Sequence, residues 1–139
     1  HAYTPTAVRQ AIAAGAKAID HGQLLDEPTA KLMAEKGIWW SLQPLVDSPD
    51  LAPINATTRK RALQVFAGTN NAYKLAKKYK VKTAFGADIL FSPEVAARRH
   101  GAQLSLLLQW YTPFEALKMA TADNGAFMAL SGRINSYPG

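Results

Sequence analysis

Apolar and polar positions along the chain change period repeatedly, from the spacing of a helix to that of a strand and back. Thr4-Pro5 marks a helix start, with Thr4 as N-cap and Pro5 at the first helical position, where a missing N–H costs nothing. Val8, Ala11, Ile12 and Gly15 form an apolar stripe that ends on a glycine. Residues 16–22 (AKAIDHG) alternate in part and predict a short strand running into Gly22. Asp26 caps a second predicted helix over residues 27–36, with Leu32 and Met33 inward and Gly37 as its stop. Residues 38–42 (IWWSL) are an apolar run of strand length, with Pro44 just beyond. A loop from 43 to about 57 carries Pro44, Pro49 and Pro53; loops of that length tend to be functional or mobile. A long basic helix over about 58–79 follows, and residues 81–87 (VKTAFGA) predict a strand that reaches Asp88. Ser92-Pro93-Glu94 opens a helix to about Leu108, and Thr112-Pro113 opens another over 113–122. A last short helix near 123–130 leads through Ser131-Gly132-Arg133 to an irregular tail, INSYPG.

Strand and helix in this rhythm predict an α/β fold of parallel βαβ units with right-handed crossovers. Parallel strands are buried on both faces, as the run IWWSL requires. Chemistry in such folds gathers at the carboxyl ends of the strands. Three residues stand at or beside those ends: His1, His21 after AKAID, and Asp88 after VKTAFGA. Each has a plain structural alternative, His21 as a hydrogen-bonded core residue and Asp88 as a turn or capping residue. Together, two imidazoles and a carboxylate suit zinc and similar divalent ions. Strands about 4.8 Å apart can bring such groups around one or two ions.

Composition narrows the classes. The chain has 139 residues, 48% of them hydrophobic, which suits one domain with a real core. With no cysteine it carries no disulfide framework, thiolate metal site or cysteine nucleophile. No apolar run approaches the roughly 18 residues of a membrane span, and nothing resembles a signal peptide, so no membrane partner is expected. A cytoplasmic and an exported location both stay open. The net charge of +6 comes from one place: residues 51–87 hold eight bases and no acid. These are Arg59, Lys60, Arg61, Lys74, Lys77, Lys78, Lys80 and Lys82, with Phe66, Tyr73, Leu75 and Ala76 on an apolar side between them. The block reads first as the solvated face of one helix. The rival is a basic nucleic-acid-binding α/β module, whose affinity would fall steeply with salt. No RNA-binding or zinc-finger motif accompanies the block, and no nucleic-acid partner is expected.

Residues 1–45 (HAYTPTAVRQAIAAGAKAIDHGQLLDEPTAKLMAEKGIWWSLQPL) resemble strands five to seven of the amidohydrolase superfamily, in the branch of imidazolonepropionase-related hydrolases and Xaa-Pro dipeptidases, or prolidases. Residues 86–134 (GADILFSPEVAARRHGAQLSLLLQWYTPFEALKMATADNGAFMALSGRI) resemble its eighth strand and closing helices. The resemblance implies a (β/α)8 TIM barrel with a mononuclear or binuclear metal site, zinc foremost. It implies that His1 of HAY and His21 of DHG are metal ligands. Asp88 of GAD would be both ligand and proton shuttle, accepting the proton of a metal-bridged hydroxide and passing it to the leaving nitrogen. Tyr3 becomes a candidate for holding the substrate's terminal carboxylate through its phenolic OH, with a packing tyrosine at a helix entrance as the equal alternative. His100 matches no ligand motif and reads as a surface residue. The implied substrate is a small dipeptide, Xaa-Pro or N-acyl-proline-like, with a cyclic amide or imidazolone as the alternative.

The departures are as informative. The family's first-strand His-x-His pair and fourth-strand carboxylated Lys or Glu are absent, and His100 is the only histidine left over. A complete barrel of this type takes about 250 residues. Residues 1–139 are therefore expected to be the C-terminal half of the barrel, from the end of strand five through strand eight, cut from a longer chain. Its implied partner is the missing N-terminal half, and a homo-oligomer is compatible with the family. Alone, the fragment is expected to be inactive, with open sheet edges and a half-built core.

Overall fold

The computed structural model describes residues 1–47, 55–88 and 93–132. The architecture is α/β around a small parallel sheet. In chain order the elements are α1 (Pro5–Ala13), β1 (Ala18–Asp20), α2 (Glu27–Lys36), β2 (Trp39–Leu42), α3 (Ala56–Tyr79), β3 (Thr83–Phe85) and α4 (Pro93–Leu106). After α4 come a 3-10 turn (Leu107–Gln109), α5 (Pro113–Lys118), a π-helical stretch (Met119–Asp123), α6 (Asn124–Met128) and a final 3-10 turn (Ala129–Ser131). The expected capping of α4 by Ser92, the centre of the proline-rich loop and the tail from Arg133 onward lie outside the described residues.

The caps sit where the side chains dictate. Thr4, Asp26 and Asn55 accept backbone N–H groups at the starts of α1, α2 and α3. Thr112 and Glu115 form a reciprocal capping box on α5. Gly37 closes α2 at φ 65°, a left-handed turn that favours glycine.

Strands β1, β2 and β3 lie side by side in sequence order, all parallel. The register pairs Ile19 with Trp40 and Ser41 with Ala84. Ala2 extends the series on the far side of β1 through a parallel bridge to His21. There the Ala2 N–H donates to Asp20 O at 3.2 Å, and the Gly22 N–H donates to Ala2 O at 2.9 Å. The observed strands are shorter than the periodicity predicts. β1 ends at Asp20 because His21 turns to φ 75°, and the path beyond β3 turns likewise at Asp88, φ 40°. All four residues of β2 are buried, which the run of apolar residues anticipates.

Trp40, Leu42, Met33, Val8, Tyr73 and Leu107 form the centre of the core. α2 packs on both α1 and α3. Thr69, Ala72, Tyr73, Leu75 and Ala76 make the buried face of α3, while its cations point outward. Several of those cations are not simply solvated. Arg59 pairs with Asp47 at 2.8 Å, Lys77 with Glu115 at 3.2 Å, and Lys78 with Glu27. The basic segment thus ties α3 to three other parts of the chain. Exposed pairs of this kind contribute about 0–1 kcal/mol each.

The helices predicted over 113–122 and 123–130 are joined by the π-helical stretch. That wider turn brings Asn124 to the outer edge of β3. Its side-chain amide receives the Phe85 N–H at 2.8 Å and donates to Phe85 O at 2.9 Å, satisfying backbone groups at that edge. Large apolar side chains remain exposed nearby, including Phe114 (75%) and Leu117. Among the described residues no helix is long and apolar enough to cross a membrane.

Candidate functional site

The carboxyl ends of the strands carry the polar cluster. His21 follows β1, is 5% exposed, and adopts a left-handed backbone conformation that costs a non-glycine residue roughly 1–2 kcal/mol. Its surroundings over-determine that conformation. The His21 N–H donates to Ser41 O at 3.1 Å, and its carbonyl accepts Trp40 Nε1–H at 2.6 Å. Gly22, at φ 72°, leaves room for the indole: a Cβ there would stand 2.6 Å from Trp40 Nε1. Asp88 also sits at positive φ, so two of the three left-handed non-glycine residues among those described belong to this cluster.

A buried amide network sets the His21 ring. Gln43 Nε2 donates to Ser41 O at 3.1 Å, which turns Gln43 Oε1 toward His21 Nδ1 at 3.0 Å. With its amide oriented by that network, Gln43 accepts the Nδ1 proton. In that tautomer the lone pair lies on Nε2, on the ring edge away from Gln43. That Nε2 lies 2.7 Å from His1 Nδ1. With the His21 proton on Nδ1, His1 donates across this contact. Gln23 supports the network by donating Nε2–H to Gln43 Oε1 at 3.3 Å. The buried Gln23 Oε1 has no hydrogen-bond partner among the described residues.

The structure brings His1, His21 and Tyr3 together. The Tyr3 ring stacks on His21, centroids 4.5 Å apart and planes 9° from parallel. Burial, and then the nearby Asp88 carboxylate, raise the Tyr3 hydroxyl above the usual tyrosine range, so it remains a hydrogen-bond donor. Asp88 stands beside the cluster and not within it. Its Oδ2 lies 3.9 Å from His21 Nδ1, beyond hydrogen-bond distance, on the ring edge already occupied by Gln43. His100 lies exposed on α4.

Among the described residues no group of three or more His, Asp or Glu side chains is arranged to hold a metal ion. The donor chemistry of the pair nevertheless fits one. Two imidazole nitrogens on a shared tetrahedral ion stand about 3.3 Å apart, so a separation of 2.7 Å must open by about 0.6 Å. Next to the pair is a cavity of about 500 Å³. Tyr3, Leu24, Leu45 and Asp88 line it together with Arg61, Val65 and Phe66 of α3. The glutamines and Arg61 carry no motif that marks them in the sequence. Only the tertiary register of β1, β2 and α3 brings them here.

No family model matches the chain, and no curated protein matches it significantly. Solved structures do match, an amidohydrolase and a prolidase among them. An amidohydrolase structure superimposes with a TM-score of 0.83 at 26% identity, covering 100% of this chain and 34% of its own. A prolidase complexed with N-methylphosphonate-L-proline matches with a TM-score of 0.79 at 25% identity, covering 96% of this chain and 33% of its own. A protein described as uncharacterised, at 24% identity with a TM-score of 0.80, speaks for the fold alone. The chain spans about a third of the length of the solved structures it matches. The likeness to the amidohydrolase superfamily holds in three dimensions.

Proposed function

We propose that this chain is the C-terminal half of an amidohydrolase (β/α)8 barrel, and that the complete protein is a metal-dependent amide hydrolase. Its proposed substrates are Xaa-Pro dipeptides or N-acyl-proline-like compounds. One observation carries the reading: two imidazoles at adjacent parallel strand ends face each other at 2.7 Å, with a carboxylate at the next strand end but one. Successive strands that neighbour one another in sequence order are the wall pattern of such a barrel. The apolar exposure of Phe114 and Leu117 suits a wall whose neighbours belong to a missing half. A prolidase among the structural neighbours favours a proline leaving group over a cyclic amide.

His21 Nε2, and His1 Nδ1 once its proton passes to the other ring nitrogen, would hold a divalent ion of zinc type, with Asp88 beside them. Bound there, such an ion supplies polarisation of a carbonyl and a lowered pKa for water. The remaining work falls to side chains of this chain. Gln43 holds the His21 tautomer. Asp88, half exposed toward the cavity, takes a proton from the attacking water and returns it to the leaving nitrogen, acting as general base and then general acid. For a Xaa-Pro bond that nitrogen is a secondary amine, which departs only when protonated. Tyr3, kept protonated, offers its O–H to the carboxylate of the leaving group.

The test is a substrate panel with the full-length protein: Xaa-Pro, Xaa-Arg, N-acyl amino acids and an imidazolone. Preferential turnover of Xaa-Pro or N-acyl-proline substrates is expected. Turnover confined to cyclic amides, or to none of the panel, would remove the dipeptidase reading.

A further inference from the structure

A second cavity, of about 370 Å³, opens at the amino ends of β2 and β3, the opposite end of the sheet from the histidine pair. Trp39, which starts β2, and Val81, just before β3, join Ala76 and Met119 as its buried apolar lining. Its charged lining is four lysines, Lys77, Lys80, Lys82 and Lys118, against two carboxylates, Glu115 and Asp123. Both carboxylates are committed: Glu115 Oε2 lies 3.2 Å from Lys77 Nζ, and Asp123 pairs with Lys118. Lys80 and Lys82 make no ion pair among the described residues.

Two of the ammonium groups are seated on aromatic rings of the cavity. Lys82 Nζ stands 5.9 Å from the Trp39 ring centroid, and Lys77 Nζ 5.1 Å from that of Tyr111. A ring positions a cation without cancelling its charge, whereas a carboxylate does both. Lys82 is therefore a placed cation over a buried indole, with its charge uncompensated. Lys80 adjoins it at the cap of α3, where the backbone turns at φ 52°. The helix dipole favours cations at that end of α3 and accounts for Lys77 and Lys80. It does not account for Lys82 or Lys118, which reach the same cavity from other parts of the chain.

We infer that this cavity binds the phosphate monoester of a small apolar alcohol, with Lys80 and Lys82 taking the dianion and the Trp39, Val81 and Met119 surface taking the body. A dianion matches the two lysines that lack an ion-pair partner, and a carboxylate matches only one of them. Lysine serves phosphate as a point charge and needs no planar fork. A volume of about 370 Å³ suits a small ligand. The inference is independent of the hydrolase reading, since this cavity shares no lining residue with the one beside the histidine pair.

The test uses the full-length protein and three probes, benzyl phosphate, inorganic phosphate and benzyl alcohol. Each is titrated by calorimetry into wild type, Lys82→Met and Lys80→Met, with circular dichroism confirming that both variants are folded. Wild type should bind benzyl phosphate on the order of 10-fold more tightly than inorganic phosphate, and the alcohol far more weakly than either. Each variant, which keeps an unbranched stem and loses the charge, should weaken benzyl phosphate binding on the order of 10-fold. Added salt should weaken it further. The same titrations after metal chelation should give the same affinities. Wild type that fails to bind benzyl phosphate, or variants that both bind it as wild type does, would overturn the inference. Equal affinity for inorganic phosphate would remove the apolar body from the ligand. Binding that vanishes on chelation would place the phosphate at the histidine pair and overturn the inference as well.

Discussion

Replacing Gln43 by Leu removes the amide that orients His21 while nearly keeping its volume. The side chain is 4% exposed, so water does not readily replace what is lost. His21 Nδ1–H loses its acceptor at 3.0 Å, and Gln23 Nε2 loses its shorter contact at 3.3 Å. Ser41 O keeps the His21 N–H at 3.1 Å and is not orphaned. One buried donor left unsatisfied destabilises by about 1–3 kcal/mol, and a second, partly satisfied, adds to that. The change in tautomer is the sharper consequence. The lost hydrogen bond, about 1 kcal/mol net, is what favours the Nδ1–H form. Without it the ring can place its proton on Nε2, facing His1, and the lone pair that would meet a metal disappears. Supporting partners of this kind are worth about 10- to 100-fold in metal affinity. Long-range nitrogen–proton NMR correlations of the imidazole report which nitrogen is protonated, and a metal-binding titration reports the affinity. Gln43→Glu keeps an acceptor for Nδ1–H and should keep the wild-type tautomer. A wild-type His21 protonated on Nε2, or a Gln43→Leu variant with unaltered tautomer and metal affinity, would refute the reasoning.

Three further outcomes follow from the same geometry. His21→Ala in the full-length protein should lower metal content by elemental analysis, and an unchanged stoichiometry would make His21 purely structural. Gly22→Ala places a Cβ 2.6 Å from Trp40 Nε1 at a backbone φ of 72°; a loss of roughly 2–4 kcal/mol in denaturant unfolding is expected, and a neutral result would contradict the packing described. Burial, reinforced by Glu115, pushes the Tyr111 hydroxyl up to about 12. Because its folded value is raised, its stabilising contribution is fully present below about pH 10 and is lost as pH rises toward 12. The loss is on the order of 2–3 kcal/mol. Tyr111→Phe should therefore flatten the fall in melting temperature across that window, while buried Tyr73 continues to titrate in both proteins.

Much of the secondary structure is legible in the residues because local chemistry decides it. Asp26 and Gly37 bracket α2 at its observed bounds, since a capping carboxylate and a left-handed glycine are local signals. Thr112-Pro113 starts α5 for the same reason. The length of β1 is less legible, because it is set by the left-handed turn at His21, a residue type that periodicity does not flag. The π-helical stretch at Met119–Asp123, which precedes the Asn124 contacts at the edge of β3, has no comparable local signal. At the site, the strand-end rule finds His1, His21 and Asp88, and motif likeness adds Tyr3. It does not find Gln23, Gln43 or Arg61, whose positions depend on which strands and helices become neighbours. Nor does composition reveal that Lys78 meets Glu27 and Lys77 meets Glu115, since those partners lie far apart in the chain.

The central claim is that the strand-end cluster performs metal-assisted hydrolysis with Asp88 moving the proton. Turnover of a Xaa-Pro dipeptide by full-length Asp88→Asn, measured at a metal content verified for the same sample, tests it most directly. Metal retained near the wild-type level with nearly all turnover lost is the predicted result. Hydrolysis at a wild-type rate would contradict it and take Asp88 out of the chemistry.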